Sequence, residues 1–213
     1  MTAVAESCRL CSAPANFFTK ARGRTFLQCT ACLSVQVQTA DLPEAEREKA
    51  LYLTHENDVN DPRYQAFVSP VTSAIVTEQS PDKTGLDYGA GPGPVISHLL
   101  TQQGYSVRLF DPFFHNDISA LQSQYDFVIS CEVIEHFHQP AAEFARLQSL
   151  LKAGGSLYCM TELFSEKRDF AGWYYKNDPT HVFFYHAGSL PIIAGRFGFS
   201  SWRLEGRLVV FSV

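Results

Sequence analysis

The sequence predicts an α/β protein with a mostly parallel sheet, preceded by a small cysteine-rich unit. Two observations carry that expectation. Residues 84–111 read as strand, glycine turn, helix, strand, which is the unit of a parallel sheet. Before them, Cys8-x-x-Cys11 and Cys29-x-x-Cys32 stand 17 residues apart. That is the spacing of a four-cysteine metal site.

The cysteine unit comes first in the chain. Each Cys-x-x-Cys turn offers two thiolates to a tetrahedral ion, so Cys8, Cys11, Cys29 and Cys32 are the expected ligands of one structural zinc. Residues 1–40 are expected to form this ribbon, and the metal is expected to supply most of its stability. Cys131 and Cys159 lack such spacing and are expected to pack as small hydrophobes in strands. Between Ser7 and Ala40 lie Arg9, Lys20, Arg22 and Arg24 and no acidic residue. The rest of the chain carries 13 basic and 22 acidic residues. A mildly basic ribbon on an acidic body suits either a solvated face or contact with a phosphate or acidic partner.

Residues 41–53 predict a connecting helix, with Asp41 as its cap and Pro43 in its first turn. Residues 54–62 read as a polar loop. Tyr64 to Glu78 predicts the helix before the first strand of the sheet. In the glycine turn, Gly89, Gly91 and Gly93 can take positive φ and let a ligand approach bare backbone. Pro94 suits the first position of the next helix, and Gly104 suits its stop. Asp111 ends the following strand, 20 residues after Gly91, where a carboxylate can accept hydrogen bonds from a ribose diol. Only 12 residues separate Pro112 from Tyr125, so the next strand and helix must be abbreviated, with Asp117 marking what remains.

The glycine spacing is G-x-G-x-G after Asp87, because position 94 is Pro94 where a dinucleotide fingerprint needs its last glycine. Asp87-Tyr88-Gly89-Ala90-Gly91-Pro92-Gly93 resembles motif I of class I S-adenosylmethionine (SAM) methyltransferases. Tyr125 to Phe137, with Glu132-Val133-Ile134-Glu135-His136, resembles the fourth-strand segment of that family. Leu150-Leu151-Lys152-Ala153-Gly154-Gly155 resembles its approach to strand five, with Ala153 where the family usually has proline. The resemblance implies a Rossmann-like sheet over residues 41–213, closed by an antiparallel hairpin of Phe199–Glu205 and Arg207–Val213. It implies SAM as cofactor, with Asp87, Tyr88, Gly89, Ala90, Gly91, Gly93, Asp111, Pro112 and Glu132 on the cofactor side. His55 and Asn57, in the loop before the first sheet helix, are either cofactor contacts or turn residues.

Asp178-Pro179-Thr180-His181, just before the helix Gly188–Phe197, resembles ubiquinone-pathway O-methyltransferases. The aromatic stretch from Leu163 to Phe184 is either a lid packed on the core or the wall of an acceptor pocket. His136 and His181 are the catalytic candidates, because imidazole titrates near neutrality. For His136 the competing reading is a hydrogen bond that fixes the loop; Glu135 is expected to be structural. The leading expectation is methyl transfer to an oxygen or carbon of a small hydroxylated metabolite. The alternatives are an RNA methyltransferase that docks through the ribbon, or a non-catalytic SAM-binding or zinc-scaffold protein.

Composition bounds the partners. A hydrophobic share of 46% and a charged share of 18% are ordinary for a soluble domain. No apolar run is long enough for a membrane span, and the first residues lack the pattern of a signal peptide. A cytoplasmic location is expected. The net charge of −5 does not favour nucleic acid as partner. No pattern points to a particular oligomeric state.

Overall fold

The structure, a computed structural model, describes residues 5–54 and 58–213. His55 and Asn57 lie outside the described residues. The first unit is a meander of β1 (Ala5–Ser7), β2 (Pro14–Ala21), β3 (Arg24–Cys29) and β4 (Val35–Val37). Neighbouring strands in it pair antiparallel.

Helix α1 (Ala45–Tyr52) follows, shorter than the sequence predicts. Asp41 does not cap it: its carboxylate instead accepts the Thr25 backbone N–H of β3 at 2.7 Å. Helix α2 (Pro62–Glu78) is capped by Asp61, whose side chain accepts from Arg63 N. Then come β5 (Thr84–Tyr88), α3 (Val95–Gln102), β6 (Ser106–Phe110), β7 (Tyr125–Cys131), α4 (Pro140–Ser149) and β8 (Leu151–Met160). The two-residue β9 (Phe183–Phe184), α5 (Ser189–Phe197), β10 (Ser201–Glu205) and β11 (Leu208–Ser212) complete the chain.

The main sheet has six strands in the order β10-β11-β8-β7-β5-β6. Its four central and edge strands β6, β5, β7 and β8 run parallel, and the β10–β11 hairpin closes it antiparallel, as expected. The abbreviated segment after β6 holds only a short 3-10 turn, Ile118–Gln122, capped by Asp117. Among the described residues no strand lies beyond β6, so β6 is the sheet edge.

Alternation along the strands divides the core into two faces. Phe127 and Ile129 of β7, with Tyr158 and Met160 of β8, pack under α2 and α3. Val128, Leu157 and Cys159 point the other way, under α4 and α5. The buried ribbon residues Cys8, Leu10, Leu27, Cys29 and Cys32 belong to that second face. Strand β4 pairs with β9, so the ribbon meander continues into the C-terminal half as a five-stranded sheet.

The aromatic stretch resolves one of the open expectations. Phe164, Phe170, Trp173, Tyr175 and Phe184 are buried against Phe26, Val35 and Val37 of the ribbon. They form a separate core with the ribbon, so most of these rings are packing and do not wall the large cavity. Of residues 163–184, only His181 lines the large cavity described next.

Candidate active site

A cavity of about 600 Å³ opens at the C-terminal ends of β5, β6 and β7. The crevice outside the carboxyl ends of the strands is where open α/β sheets bind ligands. The glycine turn lines it. Gly89 has φ +86° and Gly91 φ +63°, while Gly93 is not among the residues with positive φ. A Cβ on Gly89 would lie 2.5 Å from Val133 Cγ2, so that position admits only glycine. Pro94 sits at the N-cap of α3, one residue earlier than the sequence suggests, and Gly104 (φ +87°) follows the end of the helix.

Asp111 organises the wall beside the turn. Its Oδ2 accepts the Gly91 N–H at 3.0 Å, and its Oδ1 accepts the N–H groups of Phe113 and Phe114 at 2.8 and 3.1 Å. An ionised carboxylate has about four acceptor positions. Three are used here, which leaves capacity for a ligand hydroxyl. Asp87 is buried, and Ser97 Oγ donates to it at 2.7 Å. Burial pushes the Asp87 carboxyl up to about 6 against that hydrogen bond. The Tyr88 hydroxyl donates to Glu143, and Arg146 donates to Tyr88 at 3.1 Å.

Glu132 lies at the end of β7 in the left-handed region, with φ +52°. A non-glycine residue held there costs on the order of 1–3 kcal/mol, and such strain clusters at functional sites. Arg207 Nη2 donates to its two oxygens at 2.8 and 2.6 Å. Glu135 is fully buried, and among the described residues no lysine or arginine forms an ion pair with it. The Tyr175 hydroxyl donates to it, and Thr161 Oγ1 does so at 3.2 Å. Burial drives both carboxyls toward protonation. Burial outweighs Arg207 and raises Glu132 to about 8, with the Glu135 charge adding to it; burial raises Glu135 to about 7 against the Tyr175 hydrogen bond.

The two histidines meet in the lining of the cavity, ring centroids 4.7 Å apart. His136 Nδ1 bonds the Thr180 carbonyl at 3.0 Å, and His181 Nδ1 bonds the Tyr175 carbonyl at 2.7 Å. A carbonyl only accepts, so both Nδ1 atoms carry the proton and both Nε2 atoms carry a lone pair. Burial lowers both imidazoles. His181 falls to about 3, with the neighbouring His136 adding to burial and Asp178 opposing. The ring is therefore neutral near pH 7, and its Nε2 can accept a hydrogen bond, although a pKa this low makes it a weak base.

All nine cofactor-side candidates and both histidines line this one cavity. So do residues that the sequence reading did not single out. Glu48 and Tyr52, four apart on α1, face the cavity together, and Tyr64 and Phe67 do so from α2. The i, i+4 and i, i+3 spacings were the available signals. Glu48 bonds His138 Nε2 at 3.0 Å, and Tyr52 meets His136 edge to face at 5.4 Å. Cys131 lines the cavity too, where a fully packed strand residue was expected. His136, His181 and Glu135 each offer a metal-ligating atom within 4.8 Å of the others.

The ribbon's sulfurs form a second cluster. Cys8 Sγ and Cys32 Sγ lie 3.7 Å apart, and Cys11 Sγ and Cys29 Sγ 3.4 Å. A disulfide would need about 2.05 Å. Four sulfurs at about 2.3 Å from a tetrahedral zinc stand about 3.8 Å apart, so the cluster fits the ion. The backbone N–H groups of Ala31 and Cys32 both point at Cys29 Sγ at 3.4 Å, an arrangement suited to a thiolate.

Comparison with known proteins follows the same lines. The fold resembles an O-methyltransferase family protein from Burkholderia thailandensis, at 15% identity and TM-score 0.53, covering 82% of this chain and 64% of that one. It resembles the 1,6-didemethyltoxoflavin-N1-methyltransferase of the same organism, solved with its substrate and S-adenosylhomocysteine, at 16% identity and TM-score 0.54, covering 92% and 96%. Human N-acetylserotonin methyltransferase, solved with SAM, aligns at 13% identity and TM-score 0.53, covering 82% and 61%. The chain thus spans less than two thirds of the first and third of these structures. No curated protein matches the sequence. The family described as "Methyltransferase domain" matches residues 61–204. That match spans the glycine turn, Asp111, the β7 end and His181, and it covers well over half of the chain, which therefore belongs to the methyltransferase-domain family.

Proposed function

We propose that this protein transfers a methyl group from SAM to an oxygen or carbon of a small hydroxylated acceptor. One observation carries the reading: a single cavity is lined by the glycine turn, Asp111 and the His136–His181 pair. SAM, when bound, supplies an electrophilic methyl group. Gly89, Ala90 and Gly91 would hold its amino-acid side through bare backbone, and Asp111 would accept from the ribose hydroxyls. His181 Nε2, unprotonated at neutral pH, would accept a hydrogen bond from an acceptor hydroxyl and hold it in line. His136 would orient the acceptor from the adjoining ring. Holding the reacting atoms in line accounts for most of the rate in such displacements.

Charge narrows the acceptor. Carboxylates Glu48, Asp87, Asp111, Glu132 and Glu143 line the cavity. Arg146 is the only lysine or arginine among the described lining residues, and it is bound to Glu143 and Tyr88. Such a cavity suits a sulfonium cofactor and leaves no cation for a carboxylate or phosphate on the acceptor. The acceptor is read as neutral or cationic.

Cys8, Cys11, Cys29 and Cys32 are proposed to hold one structural zinc. With four cysteine ligands the tetrahedron is filled, so no position remains for a reacting water. The RNA alternative loses support from the ribbon itself: Arg9 and Arg24 donate to main-chain carbonyls, which leaves Lys20 and Arg22 as its exposed basic residues. The test is tritiated-SAM labelling of a cell extract from a deletion strain, fractionated into RNA, protein and small molecules. Label in the small-molecule fraction is expected. Label confined to RNA, or none in any fraction, contradicts the proposal.

A further inference from the structure

The sequence draws the ribbon as a module in front of the catalytic unit. The hydrogen bonds give it a different task. Arg24 opens β3, and its guanidinium reaches across to the segment that carries His181. Nη1 donates to the carbonyls of Pro179 and His181 at 3.1 and 3.0 Å. Nη2 donates to the Asp178 carbonyl at 3.0 Å and to the Lys176 carbonyl. Four carbonyls of one turn thus converge on one side chain. The planar fork of arginine can serve them together; a single ammonium cannot.

Arg9 makes a second tie, and it sits between the cluster residues Cys8 and Cys11. Its Nη1 donates to Val37 O at 2.6 Å and its Nη2 to Val182 O at 2.8 Å. The backbone continues the connection. Val37 N donates to Val182 O at 2.9 Å, and Val182 N donates to Glu135 O at 2.9 Å. The last bond reaches the residue next to His136. The segment 176–182 therefore has five of its carbonyls engaged by ribbon arginines. It has little regular structure of its own, only a short 3-10 turn at Tyr174–Asn177.

His181 depends on that segment. Its ring is oriented by the Tyr175 carbonyl and packs on the Tyr175 ring at 4.2 Å. Its low exposure, 8%, is what keeps the imidazole neutral. We propose that the ribbon is the positioning element of the cavity's acceptor side, with Arg24 as the residue that holds the His181 turn in place. This deepens the methyl-transfer reading, since it assigns the ribbon to the half of the cavity that would receive the acceptor. Loss of the ribbon's order would then impair His181 while the glycine turn, which none of these arginine bonds reaches, stays intact.

The experiment needs no knowledge of the acceptor. Imidazole nitrogen shifts of His181 are followed against pH in the full-length protein by two-bond nitrogen–proton correlation. Wild type is expected to show Nδ1–H with a bare Nε2 and no titration above pH 5. In Arg24→Ala the ring should lose its single tautomer, and its midpoint should rise toward 6.5. Arg24→Lys, which keeps the charge and loses the fork, should shift in the same direction. Lys20→Ala, on the exposed face of the same hairpin, should match wild type. Binding of S-adenosylhomocysteine should change by less than twofold in all three variants. The inference is overturned if His181 titrates alike in wild type and both Arg24 variants, or if cofactor binding falls as steeply as the His181 order. Neither arm depends on turnover, so a failure of the methyl-transfer reading would show separately, as absence of cofactor binding in wild type.

Discussion

Asp111 and Gly91 are joined across the cavity wall: the carboxylate Oδ2 accepts the Gly91 N–H at 3.0 Å. The bond ties the end of β6 to the turn after β5. The residue proposed to bind the ribose thus also shapes the turn that would hold the rest of the cofactor. Asp111→Ala should weaken SAM binding by about 1.5–3 kcal/mol, the range for a lost hydrogen bond to a charged group. Calorimetry on the purified variant checks it. Wild-type affinity would remove Asp111 from the site.

Gly89→Ala should be destabilising by two separable causes. The added Cβ meets the Val133 side chain at 2.5 Å, and φ +86° is strained for any L side chain. A loss of about 2–4 kcal/mol in chemical denaturation is expected, in the upper range for a point substitution. Adding Val133→Ala should recover part of that loss, the part due to the clash. No recovery would mean that backbone strain alone decides the position.

His181→Ala should lower turnover by about 100-fold, as for a lost acceptor-orienting contact, with SAM affinity nearly constant. The pH dependence follows from burial. The folded imidazole stays neutral down to about pH 3, whereas the unfolded one takes a proton near 6.5. Below that value the unfolded state binds more protons, so this group destabilises the fold as pH falls from about 6.5 toward 3. His181→Gln should reduce that acid sensitivity. Unchanged turnover on the identified acceptor would return His181 to a structural role.

Glu135 gives the opposite sign. Its folded carboxyl is raised by burial to about 7 from an ordinary 4.5. Below 4.5 both states are protonated and its contribution to stability is intact. As pH rises from 4.5 through 7 the unfolded state ionises first and that stability is lost. Glu135→Gln should therefore flatten the decline in denaturation midpoint between pH 5 and 8. A parallel decline in wild type and variant would contradict a raised Glu135 carboxyl.

One zinc per chain is expected on metal analysis of protein purified without chelator. Cys29→Ser should lower the melting temperature by about 10 °C or more, given the large share of ribbon stability that a structural zinc supplies. Absence of zinc would refute the site.

What the sequence made legible was local. Residues 84–111 announce their strand, turn, helix and strand because glycine, proline and apolar spacing act within a few residues of each other. The same holds for the cysteine pairs and the closing hairpin. What stayed hidden were contacts between distant segments. Nothing local to Val35 says that β4 will pair with Phe184, and nothing in Arg24 says that it will hold the carbonyls of residues 176–181. The density of rings from Leu163 to Phe184 reads equally as lid or pocket until Phe26 and Val37 are seen packed against it. Asp41 had the composition of a helix cap, and a backbone donor of β3 took it instead.

The most direct measurement is a calorimetric titration of the full-length protein with SAM and, separately, with NAD. The account predicts one SAM site per chain, weakened in Asp111→Ala, and no heat from NAD. Binding of NAD without binding of SAM would contradict it.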